Sequence, residues 1–343
     1  MLDATTPLDV SVGVFRVEQP GMLATIQDLG RPGRRAAGVP PGGAMDRFAL
    51  AAANLLVGNP EGAATLECAL SGPSLTVLVG CLVAVTGADF QATLNGHPMP
   101  TWEGVFVAPG DRLDFVGRAW GARVYVAVAG GLNGDRWLGS VATYLLAGRG
   151  GIHGRPLKAG DVLLAAGLPP RPLVVGRALP QLLRPPYSAH PELSAVPGPY
   201  ISRLPAKHRR ALFREDWTIS RDADRMGYRL EGPELVIEGP DLVSFGLAMG
   251  CVQLPSSGNP ILLMADGQTA GGYPVIAAVA RCDLPLAAQL MPGDRLRFRE
   301  TTVEAAQEEW RRRQAALEGL RAANGGGGPF APPRARRATS REA

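Results

Sequence analysis

From Val14 onward, apolar and polar residues alternate over short runs separated by Gly, Pro and Asp. A two-residue period of this kind predicts strands with one buried face. One early segment changes period: over residues 44–57, Met45, Phe48, Ala52, Leu55 and Leu56 fall on one helical face, and Gly58-Asn59-Pro60 stops the helix. A last helix is expected over residues 301–323. Thr301-Thr302-Val303-Glu304 opens it as a capping box, Val303, Ala306, Trp310 and Leu317 form its apolar stripe, and its charged face is solvated. Residues 1–11 read as a loose leader and 324–343 as a disordered tail.

The pattern also repeats. Pro109-Gly110-Asp111-Arg112-Leu113-Asp114-Phe115 returns as Pro292-Gly293-Asp294-Arg295-Leu296-Arg297-Phe298, with a looser third copy at Ala159-Gly160-Asp161-Val162-Leu163-Leu164. Each is a turn feeding an alternating strand. Upstream, Gly72-Pro73-Ser74-Leu75 is echoed by Gly232-Pro233-Glu234-Leu235. The repeat predicts a mainly β protein of two related barrel lobes, residues 12–175 and 195–300, divided in the Pro-rich stretch from Pro169 to Pro199.

Composition supports this reading. The chain has 343 residues, 46% of them hydrophobic, with 44 Gly and 31 Pro, which suits many short strands rather than a helical bundle. The net charge of +4 comes mainly from the tail, where Arg334, Arg336, Arg337 and Arg341 face a single Glu342. The remaining body is near neutral and leaves no footprint for a phosphate backbone. The only lysines are Lys158 and Lys207; there is no Ala-Met-Lys-Met biotinylation site and no G-x-x-x-x-G-K-[ST] loop. Cys68, Cys81, Cys251 and Cys282 lack C-x-x-C spacing and sit among apolar residues, as buried free thiols do. Ser140 and Ser257 have no G-x-S-x-G elbow. No apolar run reaches membrane-spanning length and no secretory signal is apparent, so a cytoplasmic protein is expected.

Three segments are not explained as core or ordinary loop. They are Thr25-Ile26-Gln27-Asp28-Leu29-Gly30-Arg31 continuing through Gly42-Gly43-Ala44-Met45-Asp46, then Asp224-Arg225-Met226-Gly227-Tyr228-Arg229-Leu230, and finally Gly250-Cys251-Val252-Gln253 through Asp266-Gly267-Gln268-Thr269-Ala270-Gly271-Gly272-Tyr273-Pro274. Together with Thr86-Gly87-Ala88-Asp89, the run from Gly121 to Gly131, and Gly151-Ile152-His153-Gly154-Arg155, they resemble the family of C-type 5-oxoprolinase subunits. That family is also called allophanate hydrolase subunit 2 or Kip antagonist. The same module resembles half of the urea amidolyase carboxyltransferase domain. The resemblance runs from Val17 to Phe298. It departs from the family where Gly42, Gly267 and Ala270 replace a common Ser, Arg and Thr, and at Ser140-Val141-Ala142-Thr143, where Ser-Arg-Ser-Thr is common.

The resemblance implies two cyclophilin-like β-barrels that dock onto a B-type sister subunit. With an A-type subunit they would open 5-oxo-L-proline to L-glutamate using ATP. On that basis the chain is expected to be inactive alone and to bind no cofactor itself, with ATP and a divalent metal supplied through the complex. Two other functions stay open: half of a biotin-dependent carboxyltransferase acting on urea or a similar amide, and a non-catalytic regulatory antagonist.

Asp266 and Gln268, at a strand end beside Gly271-Gly272, are the candidate catalytic residues, as base or substrate clamp; the alternative is a turn cap with satisfied loop amides. Arg225 and Arg229 form either a carboxylate-binding fork or ion pairs to Asp224 or Glu231. Gln27, Asp28 and Arg31 either reach substrate or knot the N-terminal turn. Tyr273 either bonds substrate or packs at the surface, and Gln253, in an apolar strand, needs a partner from backbone or ligand. Asp46 is assigned to the first helical turn, where it favours the helix dipole. His153 reads as a loop residue. The polar cluster from Arg225 to Tyr273 is expected to face a cleft that a second polypeptide completes.

Overall fold

The computed structural model describes residues 11–165 and 175–324; the expected leader, apart from Ser11, part of the Pro-rich boundary and the expected tail beyond Asn324 lie outside them. The described chain is mainly β and two-lobed. In the first lobe a six-stranded sheet, including Val12–Gln19, Ser74–Val77, Arg112–Phe115 and Val162–Ala165, faces a five-stranded sheet built from Leu23–Gln27, Thr65–Ala69, Cys81–Asp89, Gly104–Val107 and Trp120–Val128. Phe15, Val17, Ile26, Leu66, Val83 and Val126 fill the core between them. The second lobe is a closed seven-stranded barrel. Its first strand, Glu192–Pro197, and its last, Arg295–Glu300, pair in parallel and complete the circuit. Closure leaves the barrel itself no unpaired edge; Phe245–Gly246 and Ala270–Gly271 form a separate two-stranded sheet beside it.

The repeated turn has one physical basis. In each copy the Asp carboxylate accepts the backbone N–H three residues earlier: Ala108 N to Asp111 at 2.7 Å, Lys158 N to Asp161 at 2.8 Å and Met291 N to Asp294 at 3.0 Å. A strand follows each turn, at Arg112–Phe115, Val162–Ala165 and Arg295–Glu300. The upstream echo is weaker: Ser74 opens a strand, whereas Glu234-Leu235 is irregular and ties to the barrel through Leu235 N–Gly258 O at 3.0 Å.

The first helix spans Arg47–Leu56, with Asp46 as its N-cap rather than inside the first turn; the Asp46 side chain accepts from Ala49 N at 2.9 Å. The sequence pattern predicts one buried face, yet every residue from Phe48 to Leu56 is buried. The five-stranded sheet covers one side, through Leu82, Ala84, Tyr125 and Ala127, and Leu317 and Leu320 from the chain end cover another. The expected single helix over 301–323 is two helices, Val303–Ala315 and Glu318–Ala323. The break has a packing reason: Leu317 is drawn into the first lobe's helical core, so the chain must turn there. No described helix is long and apolar enough to cross a membrane.

Candidate functional site

The two lobes meet on charge. Thr65–Ala69 is a buried strand of the first lobe, and Glu67 is a carboxylate within it. Asp266 follows the barrel strand Ile261–Leu263, and its backbone N–H bonds the Arg225 carbonyl at 2.9 Å, which fixes these two residues side by side. Arg225 then spans the boundary. Its Nε donates to Asp266 Oδ2 at 2.7 Å and its Nη1 to Glu67 Oε1. Its Nη2 donates to the Gly43 carbonyl at 2.7 Å and to Asp266 Oδ1 at 3.3 Å. Burial opposes the charge on Arg225, but Asp266 and Glu67 outweigh it and hold the guanidinium above its ordinary range. Every nitrogen of this guanidinium is engaged by protein, so Arg225 clamps two carboxylates and does not offer a free fork to a ligand.

A second layer orients Glu67. Its Oε2 accepts from Met45 N at 2.9 Å and from the Tyr125 hydroxyl at 2.7 Å. The same hydroxyl accepts from Asp46 N at 2.8 Å. Asp46 Oδ2 in turn accepts from the Tyr187 hydroxyl at 2.7 Å and from Gln289 Nε2 at 2.9 Å. Gln289 Oε1 accepts the backbone N–H groups of Ala122 and Arg123, so one amide of the second lobe reads both the first lobe's helix cap and its strand Trp120–Val128. Burial, strongest of the influences on it, pushes the Asp46 carboxyl up to about 6 despite these donors.

A cleft of about 500 Å³ opens at this junction, with Glu67, Arg123, Tyr144, Arg225, Tyr228 and Asp266 in its walls. It is a concavity between lobes, where small-molecule sites concentrate. Among the described residues there is no cluster of three His, Cys, Asp or Glu that could hold a metal. Of the cleft's three carboxylates, Glu67 and Asp266 are taken up by Arg225, and Asp224 accepts from Met226 N and Gly227 N.

The residues singled out in the sequence divide between this cleft and other places. Arg225 and Asp266 meet in it, and Asp266 spends its side chain on Arg225 rather than on capping its own turn. Arg225 and Arg229 do not form a fork: alternation along Gly227–Glu231 turns Arg229 to solvent. Nor does Arg225 pair with Asp224 or Glu231. Asp224 accepts from Met226 N and Gly227 N and closes the turn, while Glu231 is exposed. Gln268 and Gln253 satisfy one another, Gln268 Nε2 donating to Gln253 Oε1 at 3.1 Å, and Gln253 Nε2 reaches the Tyr273 carbonyl at 3.3 Å. Tyr273 is about half exposed, and none of Gln253, Gln268, Tyr273 or Arg229 lines the cleft.

In the N-terminal segment, Asp28 knots the turn by accepting from Gly30 N, Ser140 Oγ at 2.6 Å and Val141 N at 2.9 Å. Gln27 Nε2 bonds Thr25 Oγ1 and the Thr143 carbonyl, each at 3.1 Å. Arg31 is buried, bonds the Ala142 carbonyl through Nη2, and lies 4.9 Å beneath the Trp137 ring.

Residues 37–300 match the family described as carboxyltransferase domain, subdomain A and B. The chain belongs to this family. A curated relative, the C-type subunit of 5-oxoprolinase from Escherichia coli strain K12, is 36% identical over 308 residues, covering 90% of this chain and 97% of that protein. The putative urea carboxylase of Emericella nidulans is also 36% identical, over 86% of this chain but 25% of its own length. Among solved structures, the urea carboxylase of Kluyveromyces lactis superposes with a TM-score of 0.85 at 28% identity, covering 94% of this chain and 30% of that one.

Against this carboxyltransferase frame, sequence reasoning missed Glu67, Tyr125, Arg123, Tyr187 and Gln289. One signal was available. Glu67 and Tyr125 interrupt runs that otherwise read as apolar strand, and a polar group placed there demands a partner. Tyr187 and Gln289 gave no such signal, because only the packing of the lobes brings them to Asp46.

Proposed function

We propose that this chain is the C component of an ATP-dependent 5-oxoprolinase, opening 5-oxo-L-proline to L-glutamate with B-type and A-type sister subunits. The observation that carries the reading is the buried Glu67–Arg225–Asp266 clamp in the wall of the interlobe cleft, on a chain that is similar along nearly its whole length to a C-type 5-oxoprolinase subunit. In this reading the cleft holds the lactam, Asp266 touches it or the attacking water, and Glu67 and Arg225 are positioning residues. ATP and a divalent metal are assigned to the sister subunits. Completion of the cleft by the B-type partner in the cytoplasm belongs to the same proposal.

The test is reconstitution. The chain alone releases no glutamate from 5-oxo-L-proline, and the three-subunit mixture with ATP does; Asp266→Asn removes that activity while the complex still forms. A complete, folded mixture that stays inactive overturns the reading. The similarity to a putative urea carboxylase favours a second reading, half of a biotin-dependent carboxyltransferase. Carboxyl transfer from a biotinylated carrier, abolished by avidin, selects it over the first.

A further inference from the structure

Arg123 is 8% exposed and stands in the wall of the interlobe cleft, yet it has no counter-charge in contact with it. Its Nη1 donates to the Tyr228 hydroxyl at 3.0 Å and to the Ala288 carbonyl, both neutral acceptors of the barrel lobe. Among the described residues no carboxylate lies within ion-pair distance of it, because Glu67 and Asp266 are spent on Arg225 and Asp224 on its own turn. Burial opposes its charge, and Tyr228 and Glu67 favour it, Glu67 from beyond bonding reach. Nη2 donates to no described group and, unlike Nε, is not closed off from solvent. A guanidinium keeps its charge in any protein setting, so this is a largely buried cation with a free donor at the cleft.

That donor is held in place. Arg123 lies on the strand Trp120–Val128 opposite Ala69, and its backbone N–H donates to Gln289 Oε1 at 3.0 Å. Backbone and guanidinium are thus both tied to the barrel lobe, which sets the donor before a ligand arrives. Leu23, Leu70, Leu290 and Pro292 share the cleft wall, so a group bound there has apolar carbon on its flank. In such surroundings a charged hydrogen bond is stronger than in water, and what an unpaired buried cation lacks is an anion rather than a neutral carbonyl. The cleft, at about 500 Å³, has room for a small organic acid.

We infer that Arg123 binds the carboxylate of a small organic acid in the interlobe cleft through Nη2, with Tyr228 and the Ala288 carbonyl as the groups that position it. 5-Oxo-L-proline belongs to this class, so the inference deepens the proposed function and rests on it for its biological use. In that setting Arg123 holds the carboxylate that does not react and leaves the lactam to the side of the cleft where Asp266 stands.

The experiment is a calorimetric titration of the full chain with 5-oxo-L-proline, its carboxamide (the same ring without the negative charge), 2-pyrrolidinone and inorganic phosphate. The acid is expected to bind about tenfold or more tighter than each of the other three. The Nε–Hε NMR signal of Arg123, assigned by its loss in Arg123→Lys, is expected to shift saturably with the acid. Arg123→Met removes the charge, so the preference for acid over carboxamide should vanish while the carboxamide still binds. Equal affinity for acid and carboxamide, preference for phosphate, a stationary Arg123 signal, or no binding by any probe overturns the inference. So does Arg123→Met that keeps the preference, or that weakens acid and carboxamide alike, as a purely structural role requires. If Arg123→Met does not fold, the wild-type affinities and the Arg123 signal decide alone. In the reconstituted complex, Arg123→Lys should raise KM for 5-oxo-L-proline by about tenfold and change kcat less. An active complex whose KM ignores Arg123→Lys defeats the inference and spares the 5-oxoprolinase reading. The expected selectivity in the chain, together with an inactive complete complex, does the reverse.

Discussion

Arg225 of the barrel lobe donates through Nη1 to Glu67 of the two-sheet lobe, and both side chains are buried. The contact joins the lobes through opposite charges removed from water, an arrangement in which loss of either partner leaves the other exposed to a low dielectric. Arg225→Met should therefore destabilise the chain by about 3–5 kcal/mol in urea unfolding. The triple variant Arg225→Met, Glu67→Gln, Asp266→Asn should recover a large part of that loss, because the two carboxylates that Arg225 leaves behind are neutralised with it. If the triple variant is as unstable as the single one, the clamp's effect is packing rather than charge.

Much of this architecture was legible in the residues, and the reason is local. The turn Pro-Gly-Asp fixes its own geometry through an Asp to N–H bond within four residues, so the sequence repeat translates directly into strands in both lobes. Thr302 likewise caps its helix from an adjacent position. The candidate site was legible only in part. Asp266 and Arg225 stand out in their motifs, but what they hold, Glu67, is 158 residues from Arg225, and that pairing exists only once two lobes pack. Arg229 was misplaced for an equally local reason: an interval of four residues joins side chains on a helix, whereas Arg225 precedes a strand whose alternation sends Arg229 outward.

Asp46 gives the chain a pH dependence that opposes the usual carboxylate trend. Its carboxyl is raised by burial from an ordinary value of 3.8 to about 6. The folded state therefore holds a proton that the unfolded chain has released across that interval. Stability contributed by the neutral carboxyl is full below 3.8 and is lost as pH rises through about 6, a change on the order of 3 kcal/mol. Asp46→Asn keeps an oxygen for Ala49 N and removes the titration. The stability difference between wild type and Asp46→Asn, measured by denaturant unfolding from about pH 3 to about pH 7 (roughly one unit beyond each end), should shift in favour of the variant as pH rises. A difference that stays flat across the range refutes it.

Gly43 is the backbone hinge of the clamp. It has a φ of +81°, and a Cβ there would fall 2.5 Å from Gly30 N and 2.7 Å from the Asp28 carbonyl. Both are backbone atoms in the Asp28–Arg31 turn and cannot swing aside. Gly43→Ala must move its own carbonyl, which is the acceptor for Arg225 Nη2. The expected cost is about 1–3 kcal/mol from backbone strain alone, with glutamate release by the reconstituted complex falling alongside it. Unchanged stability together with unchanged activity would show that the two loops can separate without disturbing Arg225.

The helices Val303–Ala315 and Glu318–Ala323 tie back to the first lobe from outside the barrel. Arg321, 3% exposed, donates to Glu61 of the first lobe, to the Gln314 carbonyl at 2.8 Å, to Gln314 Oε1 at 2.6 Å and to Glu318 at 2.8 Å. Leu317 and Leu320 pack beside it against the helix Arg47–Leu56, whose Asp46 cap and preceding Gly43 carbonyl serve the interlobe junction. Removing this contact should loosen that helix and, through it, the clamp. Leu317→Ala is expected to cost about 2–5 kcal/mol, and Arg321→Met about 3 kcal/mol by stranding Glu61. Hydrogen exchange separates the two ways this can fail: both variants should speed exchange in residues 47–56 more than in the barrel strands. Faster exchange confined to residues 303–323 would mean that the terminal helices ride on the surface without bracing the site.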